Sequence, residues 1–130
     1  MKFKEIKWEW VKMVILERKY TIKELYEINS FINGFVKGVV DLDKELVALD
    51  ADMHYELANY LKEQKESKES DMWGFNLWLE NQSMDEILEY DSFINIHNNQ
   101  MHGFPRGGMG ILDSDIMQKA TEVICKWIQF

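Results

Sequence analysis

Val36-Lys37-Gly38-Val39-Val40-Asp41-Leu42, then Asp43-Lys44, then Glu45-Leu46-Val47-Ala48-Leu49, is the stretch on which the fold turns. Two runs rich in valine and leucine, separated by two polar residues, read as a β-hairpin. Strand side chains alternate, so Val39 and Asp41 oppose Gly38, Val40 and Leu42. A hairpin of this kind commits the chain to antiparallel pairing.

Upstream, Thr21-Ile22-Lys23-Glu24 is a capping-box signature. Ile22, Leu25, Ile28 and Ile32 follow at helical spacing, and Gly34 supplies a left-handed stop. The pattern predicts a helix over 22–33. Before it, Met13-Val14-Ile15-Leu16 reads as a strand. Residues 1–12 carry four Lys against two Glu and include Trp8 and Trp10. They read as an N-terminal extension or arm, and tryptophans on it favour an ordered one that joins in self-association.

Downstream, Asp50 or Asp52 caps a helix over 53–65 with Met53, Leu57, Tyr60 and Leu61 as its apolar stripe. Met72 to Leu79 and Ile87 to His97 read as two more strands. Residues 98–112 hold Gly103, Gly107, Gly108, Gly110 and the single proline, Pro105, and read as a loop. A last helix over 115–128 carries Ile116, Ala120, Val123, Ile124 and Trp127 as its stripe. The order β-α-β-β-α-β-β-α predicts an α+β fold. It is a single domain over 1–130, an antiparallel sheet of four or five strands with about three helices mainly on one face.

The 130 residues carry a net charge of -8. No basic stripe offsets it, so nucleic acid is not an expected partner. No apolar run approaches the ~20 residues that span a bilayer, so no membrane partner is expected either. There is no signal-peptide pattern at Met1, and a cytoplasmic location is the default expectation. Cys125 is the only cysteine; alone it can form neither an internal disulfide nor a Cys-x-x-Cys zinc site. It falls outside the apolar stripe of the last helix and reads as an inert thiol.

From Met13 onward the chain resembles a family of short uncharacterised prokaryotic proteins, a domain of unknown function. The resemblance is carried by Val36-Lys37-Gly38-Val39-Val40-Asp41-Leu42, Leu49-Asp50-Ala51-Asp52-Met53-His54, Ser70-Asp71-Met72-Trp73-Gly74-Phe75-Asn76-Leu77 and Tyr90-Asp91-Ser92-Phe93-Ile94-Asn95-Ile96. It implies an α+β fold and supplies no catalytic residues. Where the family continues Asn-Ile-Arg-Pro, this chain has Asn95-Ile96-His97-Asn98.

Alternation along the strands places Asp41, Asn76, Trp78, Asp91, Phe93, Asn95 and His97 together, with a gap at Gly74. Such a surface is either a binding face or the ordinary wet face of an antiparallel sheet. On one strand Asp91 and His97 stand about 20 Å apart and share no ligand, whereas Asn95 and His97, about 7 Å apart, can. His97 and His102 have the spacing of paired zinc histidines, but one pair is incomplete, and no metal or cofactor is expected. Arg106, in the glycine-rich loop, can add charge for an anion, although no P-loop or dinucleotide pattern surrounds it. His54 can cap, pack or act as a base. No catalytic constellation is recognisable. The expected function is therefore a non-enzymatic module that binds a partner protein or itself. The alternative is a small enzyme or ligand-binding protein in which His54, His97, His102 and nearby Asp side chains meet near the glycine-rich loop.

Overall fold

The computed structural model describes residues 13–28 and 34–130. Strands β1 (Val14–Ile15) and β2 (Tyr20–Thr21) precede helix α1 (Ile22–Ile28). The capping box opens this helix. Thr21 Oγ1 accepts from the Glu24 amide at 3.0 Å, and Glu24 Oε1 accepts from the Thr21 amide at 2.9 Å. Residues 29–33 of the expected helix, and the whole of the expected 1–12 arm, lie outside the described residues.

The hairpin follows as β3 (Phe35–Asp41) and β4 (Leu46–Leu49), with Val39 opposite Ala48 and Asp41 opposite Leu46. Its turn takes four residues, 42–45, not two. A carboxylate builds it: Asp41 Oδ1 accepts from the amides of Asp43 and Lys44 at 2.9 and 3.0 Å, and Glu45 adopts a left-handed φ of 56°. The Ser67 hydroxyl donates to the other Asp41 oxygen.

Helix α2 (His54–Lys65) leads through a 3-10 turn (Glu69–Asp71) into β5 (Met72–Trp78). Then come α3 (Met84–Ile87), β6 (Leu88–Glu89), α4 (Phe93–Met101), α5 (Ser114–Trp127) and β7 (Ile128–Gln129). The fold is α+β; the described residues form a five-stranded sheet in the order β1-β4-β3-β5-β6 with every neighbour antiparallel. β2 and β7 form a separate parallel pair. None of the described helices is long and apolar enough to cross a membrane.

Instead of lying mainly on one side, the helices divide between both faces of the sheet. Val36, Val40, Val47, Leu49, Trp73, Phe75 and Leu77 pack with Leu25 of α1 and with Ala120, Val123 and Ile124 of α5. On the opposite face, Val39, Ala48 and Met72 pack with Leu57, Ala58 and Leu61 of α2 and with Ile94 of α4. α5 is also tied to the hairpin tip. The Lys119 ammonium donates to Glu45 at 2.9 Å, the Lys126 ammonium donates to its other oxygen, and the Trp127 indole donates to the Glu45 carbonyl at 2.9 Å. The two ammoniums, Lys126 foremost, hold the Glu45 carboxyl down at about 2.

The largest departure from the sequence reading lies over 87–97, expected as one strand. Strand β6 covers only Leu88–Glu89, and Ser92 caps a helix, its hydroxyl accepting from the Ile94 amide at 3.3 Å. Tyrosine and isoleucine give this stretch a β-rich composition, but Asn95, Asn98 and Asn99 recur at helical spacing and are the buried residues. Side-chain pairing by those asparagines overrides local preference. Asn98 to Met101, expected within the loop, thus belong to α4.

Gly38 permits the closest approach within the sheet. A Cβ there would fall 2.3 Å from Cζ of Phe75, so the phenyl ring occupies the space of the missing side chain. Gly38→Ala is expected to destabilise the domain by about 1–3 kcal/mol through overpacking, read as a lowered midpoint in urea unfolding.

Candidate functional site

The polar end of the sheet is built across three strands. Lys37, Asn76 and Glu89 are direct neighbours on β3, β5 and β6, and Phe35 lies opposite Trp78 one row away. Alternation along β5 sends Trp73, Phe75 and Leu77 into the α5-facing core and leaves Gly74, Asn76 and Trp78 on the other side. The start of α2 lowers His54 onto this surface, and the turn before α4 brings Asp91 and Ser92 beside it.

Gly74 makes that approach possible. A Cβ at Gly74 would lie 2.5 Å from both Cβ and Oγ of Ser92 and 3.2 Å from Cδ2 of His54. β5 is paired with β6 only at Asn76 and Leu77. Beyond that point Asn95 supplies the pairing a strand would have made. Its Oδ1 accepts from the Gly74 amide at 2.8 Å, and its Nδ2 donates to the Gly74 carbonyl at 3.0 Å and to the Met109 carbonyl at 2.8 Å. One turn on, Asn98 Nδ2 donates to the carbonyls of Met72 and Glu69.

A hydrogen-bonded chain runs through the site. His54 Nε2 lies 2.9 Å from the Phe75 carbonyl and 3.0 Å from Asn76 Oδ1. Asn76 Nδ2 donates to Glu89 Oε1 at 3.0 Å and to the Asp91 carbonyl at 3.2 Å. The Trp78 indole donates to the same Glu89 oxygen at 3.0 Å. Glu89 therefore fixes the orientation of the Asn76 amide, and the Asn76 and Phe75 oxygens fix the proton of a neutral His54 on Nε2. Burial, with the Lys37 charge adding to it, pushes the His54 pKa down against its hydrogen bonds and the Asp91 charge. Among the described residues, every buried side-chain nitrogen and oxygen has a partner.

The candidate residues thus separate. His54, Asn76 and Asp91 meet at the polar end of the sheet, with Asn95 alongside as a structural clamp. Asp41 is buried in the hairpin turn. His97 and Asn95, expected on one face, do not share it: α4 carries His97 exposed and Asn95 buried. Ile94 and Ile96 of the same helix are half-buried. His102 lies against the 3-10 turn, its Nε2 3.2 Å from the Ser70 carbonyl, with its ring 5.6 Å from that of Trp73. Arg106 is exposed. The glycine-rich stretch is bound to α4: Asn99 Nδ2 donates to the carbonyls of Gly108 and Gly110 at 2.9 and 2.8 Å. Among the described residues, no group of three or more His, Cys, Asp or Glu side chains is placed to hold a metal. Lys37, Phe35 and Glu89 were missed as site residues; the signal for them is the cross-strand register with Asn76 and Trp78.

All four segments that carry the family resemblance contribute to this place: Lys37, His54, Gly74 with Asn76, and Asp91 with Ser92 and Asn95. The model of a family described as a protein of unknown function, DUF5674, matches residues 14–127. The chain belongs to this family. The DUF5674 match takes in every site residue named above. No curated protein and no solved structure matches the chain.

Two outcomes follow for this DUF5674 chain. Asn95→Ala leaves the Gly74 amide, the Gly74 carbonyl and the Met109 carbonyl without their partner. At 1–3 kcal/mol for an unsatisfied buried group, the loss is expected to reach about 3 kcal/mol in denaturant unfolding. His54 has a folded pKa below its ordinary 6.5. The unfolded chain therefore binds the extra proton first, and stability falls as pH drops below about 6.5 towards the folded value. Thermal midpoints measured from about pH 7.5 down to about pH 5.5 should decline, and His54→Gln should flatten that decline.

Proposed function

We propose that this domain is a non-enzymatic module that binds a partner protein through the face formed by Phe35 and Trp78, flanked by Lys37 and Glu89. The observation that carries the reading is the state of Trp78. Its side chain is 41% exposed, yet it is held in one orientation, with its indole N–H on Glu89 and its ring centroid 4.3 Å from that of Phe35. Lys37 Nζ stands 4.8 Å from the centroid of the Phe35 ring. A large aromatic surface that is already rigid loses little entropy on association, which is why tryptophan dominates binding hot spots. The polar groups beneath it support the same reading. His54, Asn76 and Glu89 are engaged with one another, so they act as a platform that positions the ring. The three histidines considered for a catalytic site divide between two elements, His54 at the start of α2 and His97 and His102 in α4 and at its C-terminal cap, which supports the binding reading over a catalytic one.

A photo-crosslinking amino acid placed at position 78, and separately at Met117 on the exposed side of α5, tests the proposal in cells. Position 78 is expected to yield a discrete adduct whose polypeptide is identified by peptide mass, and position 117 is not. Equal labelling at both positions, or none at 78, sinks the reading.

A further inference from the structure

Glu89 and Asp91 lie at the rim of the polar end, beside the exposed ring of Trp78. One nitrogen ties them to the same spot: Asn76 Nδ2 donates to Glu89 Oε1 at 3.0 Å and to the Asp91 carbonyl at 3.2 Å. Asn76 itself is buried, so a partner meets only the rim. Among the described residues, neither carboxylate forms an ion pair. Glu89 accepts from Asn76 and Trp78 through Oε1, which leaves Oε2 open, and the Asp91 contact uses its backbone carbonyl, which leaves its carboxylate open. The cation of this row, Lys37, stands two strands away on β3, at about 4.8 Å per strand, with its ammonium near the Phe35 ring. Negative charge is therefore uncompensated on the β6 side. Phe93, the first residue of α4, is exposed two positions beyond Asp91.

We propose that the partner docks an arginine side chain on this rim, its guanidinium lying against Trp78 and pairing with Glu89 and Asp91. The proposal rests on the partner-binding reading of the Trp78 face and names the group that the face recognises. Among aromatic rings, the indole attracts a cation most strongly. A guanidinium is also planar, so it can lie on a ring and still direct N–H donors at carboxylates beside that ring. Both acceptors are in place, and the Trp78 indole N–H on Glu89 holds the ring and the anion in a fixed relation. A partner carboxylate or phosphate would meet two negative charges here. An apolar side chain would strip water from them and return no hydrogen bond. The net charge of -8 draws a basic partner from a distance. Trp78, Glu89 and Asp91 are all exposed, so a single side chain reaches them without displacing α2 or α4.

The test is selection of peptides by the full chain. A phage library of random short peptides is panned on the wild type and counter-selected on Trp78→Ala, so that only peptides requiring the ring survive. Arginine is expected to be enriched among them. A selected peptide, made synthetically, is expected to bind Asp91→Lys about tenfold more weakly than the wild type, because one attraction becomes a repulsion. Its citrulline analogue, which keeps the shape and loses the charge, is expected to lose binding to the wild type. Asp91→Lys keeps the backbone carbonyl that Asn76 uses. Circular dichroism verifies the fold of each variant. If Asp91→Lys fails to fold, Asp91→Asn, which removes the charge alone, replaces it with an expected loss of about threefold. Peptides that require Trp78 but carry no arginine, or an arginine peptide bound equally by the wild type and the Asp91 variant, would overturn the proposal and leave the partner-binding reading standing. A library that yields no Trp78-dependent peptide counts against both.

Discussion

Backbone polar groups at the outer edge of β5 must be paired, and the strand that should pair them ends too soon. β6 spans two residues, so from Met72 to Gly74 the edge lies within the protein without a strand neighbour among the described residues. An unpaired buried amide or carbonyl is among the costliest features a fold can carry. The asparagines of α4 resolve this. One N–H and the oxygen of the Asn95 carboxamide have the geometry of a peptide group and take both polar groups of Gly74, while the second N–H goes to Met109. Asn98 takes the Met72 carbonyl. A helix can lie this close only because Gly74 has no side chain to keep Ser92 away.

Much else is downstream of that one closure. Seating α4 against β5 puts the Asp91 carbonyl beside Asn76 and brings Met109 and the glycine-rich stretch onto the same asparagines. The glycines there are consequences of contact. At Gly107, a Cβ would lie 2.8 Å from Cγ2 of Ile96 and 2.9 Å from its carbonyl oxygen, so the stretch runs tight along α4. The chain from His54 to Trp78 then has fixed ends, with backbone oxygens at one side and Glu89 at the other.

The parts legible in the sequence are those whose periodicity is set by one face. β5 shows a clean two-residue alternation, which already placed Gly74, Asn76 and Trp78 together, and the alternation of the hairpin placed Asp41 beside Val39. The capping box at Thr21 and the stripe of α5 were equally plain. The 87–97 stretch was not legible, because the helix that begins within it buries Asn95, Asn98 and Asn99. A helix that buries amides on the sheet side and leaves its isoleucines half-covered inverts the hydrophobic pattern on which sequence reading depends. The same inversion misplaced His97 and Asn95. Lys37 and Glu89 gave no local sign, since their place beside Asn76 exists only once three strands are in register. His102 and Arg106 drew notice by residue type, and the fold sets them apart from the polar end of the sheet.

The clamp on Gly74 also divides the molecule by how it opens. In a strand interior, an amide meets solvent only when neighbouring strands separate. At Gly74 the proton is covered by a single side chain from a nine-residue helix. Lifting α4 frees it while β3, β4 and β5 stay paired. Amide exchange at this glycine thus reports on the helix and not on the strand that contains it, and the sheet and its asparagine cover constitute two units of local stability.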